Sequence, residues 1–281
     1  MTSVLNIGGM ALGLEGGDSV QLAMALPGMT EFVASVEPEV QVRLDARLSL
    51  PQCRLLHRFD IADGNAMCRF GVDADGAYWY DFDAGRLLRF DPRSPDVVML
   101  TTMTDASVLR FALWSAYGML GLRRHRVPVH SSVVVCDGRA VMCLGESGTG
   151  KSTHTRLWLE NIQGTHLLND DSPILAVEEG GVVVYGSPWS GKTHCYRQEC
   201  VPVAALLRLE QKPENSIRRL GVIESFAALQ PSCPPCMARD ERLMDSLVGF
   251  ISDVIQRVPV YRMGCMPNAE AAQLSHKTIF G

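Results

Sequence analysis

A glycine-rich segment at residues 145–152 constrains the fold of this chain of 281 residues more than any other feature. It reads Gly-Glu-Ser-Gly-Thr-Gly-Lys-Ser, the pattern of a phosphate-binding loop. Such a loop works only between a strand and a helix, because its backbone N–H groups and the helix N-terminus then converge on one anion. The flanks agree: the apolar run 141–144 predicts a buried strand, and Leu157, Trp158 and Ile162 recur at helical spacing.

The loop residues carry most of the predicted ligand contacts. We expect the Lys151 ammonium to reach the β- and γ-phosphates of a nucleotide, and the Ser152 hydroxyl to ligate Mg²⁺. ATP and Mg²⁺ are therefore the predicted ligands. The alternative is a plain glycine turn with a surface lysine. The predicted nucleotide-binding residues are Gly145, Glu146, Ser147, Gly148, Thr149, Gly150, Lys151, Ser152 and Thr153.

Two adjacent carboxylates, Asp170 and Asp171, follow the apolar pair Leu167 and Leu168. At the end of a buried strand beside polyphosphate, such a pair can supply a metal ligand and a general base. The alternative is a solvated turn or a helix cap. The pair therefore predicts a site for metal binding and proton transfer.

The composition bounds the class of protein. With 47% hydrophobic residues the chain can bury one large core or two smaller ones. A formal net charge of −5 and the lack of a basic tract argue against nucleic-acid binding. No window approaches the roughly 20 apolar residues of a membrane span, and residues 1–13 lack a positively charged leader, so we expect a cytoplasmic protein without a membrane partner. The nine cysteines fit reduced thiols, and Cys233 and Cys236 fit a loop better than a metal or redox motif.

The N-terminal part of the sequence has the pattern of strands. Apolar and polar residues alternate over 40–48, which is typical of a half-buried strand. We predict an antiparallel, β-rich domain at residues 1–104. Asp105 then has the character of an N-cap for a helix over 106–122, and this helix begins the second domain, residues 105–281. Further short strands are predicted at 67–72, 77–82, 86–90 and 96–101.

In the second domain, hairpins surround the phosphate loop. A strand over 127–136 turns at Asp137 and Gly138 into the loop's own strand, so a hairpin replaces the crossover helix of ordinary phosphate-loop folds. A second hairpin, 174–185, leads into the loop 186–192. The predicted fold class is α+β or α/β with a mixed sheet. The remaining predicted elements are a strand over 202–209, a helix over 239–257, a strand over 258–263 and a helix over 268–277.

The order of these motifs resembles a known family. His130, a hairpin, the loop Gly-x-Ser-Gly-x-Gly-Lys-Ser, a helix and a hydrophobic pair followed by Asp-Asp resemble the catalytic domain of HPr kinase/phosphorylase, and more distantly ATP-dependent phosphoenolpyruvate carboxykinase. The resemblance covers residues 125–210 and implies a phosphoenolpyruvate-carboxykinase-like nucleotide-binding domain. It also implies that Asp170 is the proton acceptor, Asp171 a supporting or metal-linked carboxylate, and His130 an active-site residue. The family's metal-binding glutamate and C-terminal catalytic arginine have no located counterpart, so HPr as substrate and reversible phosphorolysis do not follow.

Candidates of lower specificity lie outside the main motifs. A histidine on a strand, such as His130, is as readily a structural residue as a catalytic one. The loop 186–192 repeats the sequence Ser-Gly-Lys, which predicts a second anion clamp with Lys192 as a catalytic cation. The alternative for Lys192 is a solvated side chain at the exit of a hairpin. Arg197 is a weaker candidate for stabilising transferred charge.

These observations predict an ATP-dependent kinase that transfers the γ-phosphate to a hydroxyl, such as a serine of a protein or peptide. Asp170 is the expected base, and Ser152 and Asp171 are the expected metal ligands. Two alternatives stay open: a catalytically incomplete ATP-binding regulator, and a small-molecule phosphotransferase related to phosphoenolpyruvate carboxykinase. The sequence does not identify the phosphoacceptor. It does not determine the oligomeric state either, and a homo-oligomer is an open alternative.

Overall fold

The computed structural model describes residues 2–61, 66–191 and 193–281 of a mixed α+β protein with two mixed β-sheets. The chain divides into two compact units. The N-terminal unit comprises Met1–Arg124 with Cys236–Met244, and the C-terminal unit comprises His125–Pro235 with Asp245–Gly281. Among the described helices, none has both the length and the apolar character needed to cross a membrane.

The N-terminal unit is built on an eight-stranded sheet in the order β1-β2-β3-β8-β7-β6-β5-β4. Two α-helices accompany it: α1 (Asp18–Ala25) and α2 (Ala106–Leu122). The strands are β1 (Thr2–Ile7), β2 (Met10–Glu15), β3 (Val40–Arg43), β4 (Cys53–Ile61), β5 (Ala66–Asp73), β6 (Tyr78–Asp81), β7 (Leu87–Phe90) and β8 (Val97–Leu100).

The prediction of an antiparallel N-terminal sheet is wrong at β3. This strand pairs in parallel with both β2 and β8, while the other neighbours pair antiparallel. A parallel pair needs a long crossover, and α1 lies in the connection between β2 and β3. β3 also ends at Arg43, short of the predicted limit at residue 48.

The helix α2 belongs to the N-terminal unit, so the division of the chain differs from the predicted boundary after residue 104. The helix forms at the predicted range, Leu109, Leu113, Ala116, Tyr117 and Leu120 are buried on it, and α2 contacts β3, β7 and β8 of the sheet. Asp105 caps the helix as predicted, because its side chain accepts a hydrogen bond of 3.0 Å from the backbone N–H of Val108. Because α2 covers this sheet, its apolar face completes the N-terminal core.

The C-terminal unit contains a nine-stranded sheet in the order β12-β10-β11-β15-β14-β13-β9, with β17 added beside β15 and β16 beside β17. The strands are β9 (Arg126–Pro128), β10 (Ser131–Cys136), β11 (Arg139–Leu144), β12 (His166–Asp171), β13 (Ile174–Glu178), β14 (Gly181–Tyr185), β15 (Cys200–Gln211), β16 (Ser216–Arg219) and β17 (Val260–Cys265). The helices are α3 (Lys151–Asn161), α4 (Val222–Leu229), α5 (Glu241–Arg257), which continues from the N-terminal unit, and α6 (Ala269–Phe280).

The predicted hairpin before the phosphate loop is present. β10 and β11 pair antiparallel, and Asp137 and Gly138 between them have φ of 49° and 71°, the left-handed values of a tight hairpin turn. The predicted strand over 127–136 is divided, since β9 pairs with β13 while β10 pairs with β11 and β12. β11 lies parallel to β15, so the carboxyl ends of these two strands lie next to each other. The loop after β11 therefore begins beside the end of β15.

The helix α3 is anchored to this sheet by an apolar core. Trp158 is fully buried, and its indole N–H donates to Ser275 Oγ of α6 at 2.9 Å. This places Trp158 in the core between α3 and α6. The buried members of the cluster are Val134, Cys136, Val141, Cys143, Leu157, Trp158, Leu207, Leu209, Met263, Ala271 and Ala272.

Candidate active site

The phosphate-binding loop connects β11 to α3, as its sequence predicts. Gly148 and Gly150 have φ of 80° and 99°, which side chains other than glycine rarely adopt. Gly150 is the N-cap of α3, so the loop runs directly into the helix N-terminus. Thr149 closes the loop on itself, because its backbone N–H and hydroxyl donate to the Glu146 carbonyl at 3.2 and 2.8 Å. The backbone has the shape that an anion cradle requires.

The Lys151 side chain lies across this loop and is only 8% exposed. Its Nζ donates to the carbonyl oxygens of Gly145 and Glu146 at 2.8 and 3.1 Å. Burial lowers the pKa of Lys151 from its usual value, and the charges of Asp171 and Glu146 oppose that shift. The ammonium is therefore held over the loop by backbone acceptors that a phosphate oxygen can replace.

The two carboxylates at the end of β12 engage different partners. Ser152 Oγ donates to Asp170 Oδ1 at 2.8 Å, and Asp170 is buried. Asp171 Oδ1 lies 3.0 Å from His130 Nδ1, and its side chain is 38% exposed. Pairing of β12 with β10 aligns Asp170 with Ser132 and Asp171 with Ser131. The structure thus brings both predicted carboxylates to the start of α3.

His130 connects the acidic pair to the loop. Lys151 Nζ lies 3.0 Å from His130 Nε2 and donates to it, since an ammonium has no acceptor. The ring proton then resides on Nδ1 and is donated to Asp171. Asp171, His130 and Lys151 form one continuous hydrogen-bonded chain. His130 therefore contacts Lys151, a predicted catalytic residue, and Asp171, a predicted metal ligand.

The loop after β14 contacts β12, the strand that ends with Asp170 and Asp171. The Gly191 N–H donates to the Asp170 carbonyl at 2.8 Å, and Ser190 bridges to Asp171. A side chain at Gly191 would collide with the Asp170 carbonyl, so glycine permits this approach. Lys192, the predicted clamp, lies outside the described residues. Arg197 belongs to the same connection, and its carbonyl lies against Gly186.

Sequence reasoning missed two polar residues on β15. Arg208 Nη2 donates to Glu146 Oε1 at 2.8 Å, and Gln211 Nε2 donates to the Gly148 carbonyl at 3.1 Å. Arg208 Nη1 is buried, without a hydrogen-bond partner in the part of the chain that the structure describes. β11 and β15 are parallel, with Leu144 aligned to Arg208. The available signal was a pair of polar residues near the carboxyl end of an apolar strand.

A cavity of about 290 Å³ adjoins the start of α3. His154 lines it together with Thr153 and Leu157 of α3 and Met266 and Pro267, which follow β17. Burial lowers the pKa of His154 to about 4, so its ring is neutral near pH 7. Its Nε2 lies 3.2 Å from the Trp158 indole nitrogen and 3.1 Å from Ser275 Oγ. Its Nδ1 is buried, with no hydrogen-bond partner among residues 2–61, 66–191 and 193–281.

Comparisons with known proteins add little to this geometry. No protein-family model matches the chain, and no curated protein matches it significantly. Among solved structures, the chain is similar to the HPr(Ser) kinase/phosphatase from Coxiella burnetii at 14% identity and a TM-score of 0.32. That match covers 53% of this chain and 85% of the other. A likeness this distant does not establish family membership, so function has to be judged from the site itself.

Proposed function

We propose that this chain is an ATP-dependent kinase that transfers the γ-phosphoryl group of ATP to a hydroxyl of a protein or peptide. The observation that carries the proposal is the 2.8 Å hydrogen bond between Ser152 Oγ and Asp170 Oδ1 at the N-terminus of α3. In phosphate-loop enzymes, the serine of the loop and an acidic residue from another strand hold the metal that bridges the β- and γ-phosphates. This chain supplies both groups beside a glycine cradle and a buried lysine.

The residues present fit Mg²⁺ and polyphosphate. In nucleotide sites Mg²⁺ is held by one or two carboxylates together with substrate phosphates. No group of three or more histidine, cysteine or acidic side chains in the described ranges could hold a metal by itself, so phosphate oxygens would complete its coordination. Ser152 and Asp170 would hold the ion, which would neutralise charge on the phosphates. The ribose and base would occupy the cavity lined by Thr153 and His154.

The contacts favour a division of roles between the carboxylates that differs from the one the resemblance implies. Asp170 is buried against the metal-binding serine, which suits a metal ligand. Asp171 is more exposed and bonded to His130, which suits a base that an acceptor can reach. We therefore assign the metal to Asp170 and proton acceptance to Asp171. His130 orients the Asp171 carboxylate.

The reaction then balances as a simple displacement. The acceptor oxygen forms a bond to the γ-phosphorus, and the bond from that phosphorus to the bridging oxygen of ADP breaks. The acceptor proton passes to the Asp171 carboxylate. Lys151 and Arg208 stabilise the charge that spreads over the transferred group, because both cations lie beside the loop.

The nucleotide part of the proposal is tested by Lys151→Ala. Removing the ammonium deletes a charge-assisted contact to phosphate, so the affinity for Mg-ATP should fall roughly tenfold or more, about 1.4 kcal/mol. Isothermal titration calorimetry measures this loss directly. Lys277→Ala removes an exposed lysine of the same unit and serves as the matched control. Equal Mg-ATP affinity in Lys151→Ala and Lys277→Ala, with both variants folded, would refute the proposed placement.

The transfer part needs a separate measurement, because binding alone fits a regulatory protein equally well. Radiolabelled γ-phosphate should appear on the acceptor hydroxyl when wild-type protein is incubated with ATP and candidate acceptors. Tight Mg-ATP binding without transfer to any acceptor would favour the alternative of a catalytically incomplete regulator.

A further inference from the structure

A second cavity, of about 910 Å³, lies within the N-terminal unit and has no part in the proposed kinase chemistry. Its walls come from three segments: 52–54 around the start of β4, 72–76 at the end of β5, and 239–242. Guanidinium groups contribute to two of these walls. The arginines are Arg54, Arg239 and Arg242.

Two of the three acidic side chains that line this cavity already accept hydrogen bonds from the fold. Asp73 accepts the backbone N–H groups of Asp75 and Ala77 at 3.0 and 2.9 Å, and the Trp79 indole N–H at 2.8 Å. Asp240 accepts the Tyr78 hydroxyl at 2.6 Å. Its side chain is only 6% exposed. Asp73 and Asp240 therefore face internal donors, whereas Glu241 is an exposed carboxylate of the same cavity. Three exposed guanidinium groups against this one carboxylate leave the ligand-facing charge positive.

The buried Asp240 positions two of the arginines. Arg54 Nη2 lies 3.9 Å from one carboxylate oxygen, and Arg242 Nε lies 3.5 Å from the other. The Arg242 guanidinium also lies over the Tyr78 ring, 5.1 Å from its centroid. Both side chains remain more than half exposed, at 71% and 57%. Arg242 Nη2 also donates to the Gly76 carbonyl at 3.5 Å. Exposed guanidinium groups that the fold holds in place suit the recognition of carboxylates.

Positive charge extends from the cavity along β4. Burial lowers the pKa of His57, and the Arg239 charge lowers it further, so the field reaches the middle of the strand. Arg58 adds an exposed cation one residue later, and Asp60 near the end of β4 is an exposed carboxylate. The part of β4 that adjoins the cavity is therefore positive, against the net charge of −5 of the whole chain. Charge complementarity therefore favours an acidic partner.

β4 is the last strand of the described sheet, and it is nine residues long. An edge strand presents alternate backbone N–H and C=O groups to a further strand, and an extended peptide can use them. Leu55, 46% exposed, offers an apolar contact beside Arg54. The cavity begins where β4 begins, so a peptide that pairs with this strand would carry its side chains to the arginines.

We propose that the N-terminal unit binds an extended acidic peptide, which adds to β4 as a further strand and places carboxylates against Arg54, Arg239 and Arg242. The inference goes beyond the kinase proposal and does not depend on it. Direct binding tests it, with no nucleotide present.

The probe is a fluorescein-labelled peptide as long as β4 in which Glu and Thr alternate, and fluorescence anisotropy reports its binding to the full chain. A second peptide has Gln at every Glu position. We expect the acidic peptide to bind more tightly, and the Arg54→Gln/Arg239→Gln variant to weaken it roughly tenfold or more. Arg47→Gln, an exposed arginine of the same unit outside the cavity, is the matched control and should bind as the wild type does.

Two further probes separate a peptide site from a site for small anions. Methylating alternate backbone nitrogens of the acidic peptide should abolish binding, because the added strand then lacks donors. Free citrate should compete only weakly. The proposal is overturned if the Glu and Gln peptides bind alike, if the double variant binds as Arg47→Gln does, or if the methylated peptide and citrate bind as well as the acidic peptide.

Discussion

The two units of this protein differ in how their ionisable side chains are paired, although Trp114 Nε1 and Ser115 Oγ of the N-terminal unit also lack a hydrogen-bond partner among the described residues. In the N-terminal unit, Asp73 has three hydrogen-bond donors and Asp240 bonds the Tyr78 hydroxyl, so the acids are satisfied by the fold. In the C-terminal unit, His154 and Arg208 each keep a buried nitrogen without a partner among the described residues. A buried polar group left unpaired costs about 1–3 kcal/mol, so it marks a place where a ligand is expected.

This contrast separates side chains whose hydrogen bonds stabilise the fold from side chains that would gain a hydrogen-bond partner when a ligand binds. Substitution of the first kind should reduce the free energy of unfolding. Substitution of the second kind should reduce binding or turnover and leave the fold intact at neutral pH.

The strongest test compares Asp171→Asn with Asp170→Asn. If Asp171 accepts the proton, its loss should lower phosphotransfer roughly 10²–10⁴-fold while Mg-ATP affinity stays within a few-fold. Asp170→Asn should instead raise the Mg²⁺ concentration needed for nucleotide binding, because the metal loses a charged ligand. Transfer assays with an identified acceptor and Mg²⁺ titrations by calorimetry measure the two effects.

Asp245→Asn changes an exposed carboxylate of the same unit and controls for the loss of charge. Thermal melting of all three variants controls for folding. The reverse pattern, with the Mg²⁺ requirement altered in Asp171→Asn and turnover lost in Asp170→Asn, would restore the assignment that the sequence resemblance implies.

His154 should make the folded state sensitive to acid. Its pKa is lowered by burial from 6.5 to about 4, so between these values the unfolded chain binds a proton that the folded chain does not. Stability from this group is full above pH 6.5 and is lost as the pH falls towards 4, by about 3 kcal/mol in total. Urea unfolding of His154→Gln should show a shallower decline over this range.

The control for that measurement is His194→Gln, which replaces an exposed histidine of the same unit. It should follow the wild-type pH dependence. Parallel pH curves for wild type and His154→Gln would contradict a buried, neutral His154.

The smallest expected effect concerns the N-terminal acids. Asp73→Ala removes the acceptor for two backbone N–H groups and for the buried Trp79 indole, so the free energy of unfolding should fall by about 2 kcal/mol. Asp75→Ala removes an exposed carboxylate from the same turn and should change stability by less than about 0.5 kcal/mol. Equal unfolding midpoints in urea for the two variants would show that Asp73 is not a structural acid.

Local signals allowed much of the C-terminal unit to be predicted. The glycine pattern fixed the strand–loop–helix order around Lys151, and Asp137-Gly138 fixed the hairpin before it. The apolar run ending in two aspartates is β12. Each of these features depends on residues close together in the chain, where turn chemistry and hydrophobic period are informative.

The remaining features could not be predicted, because they depend on contacts between segments that are distant in the sequence. The contact of Arg208 with Glu146 exists because β15 lies parallel to β11, and no local pattern specifies that neighbour. The helix α2 is apolar around much of its surface, so its sequence does not show which core it completes. In the N-terminal sheet, β2 is buried at five of its six residues and lacks the alternation by which half-buried strands are recognised.

Because a hairpin precedes the phosphate loop, several residues of the site lie close together in the sequence, and insertions elsewhere in the chain need not disturb them. His130, the loop and both aspartates lie within one uninterrupted stretch, residues 130–171, and pairing of β10 with β11 and β12 closes that stretch on itself. Insertions elsewhere, for example at the exposed turn between β13 and β14, lengthen segments that none of these side chains depends on, and lengthening a surface loop costs little entropy. The distances among His130, Lys151 and the two aspartates are therefore set within one stretch of chain, and a turn such as the one between β13 and β14 can change in length without altering them. Arg208 and Gly191 contact this stretch from β15 and from the loop after β14, so these two residues would have to keep their places.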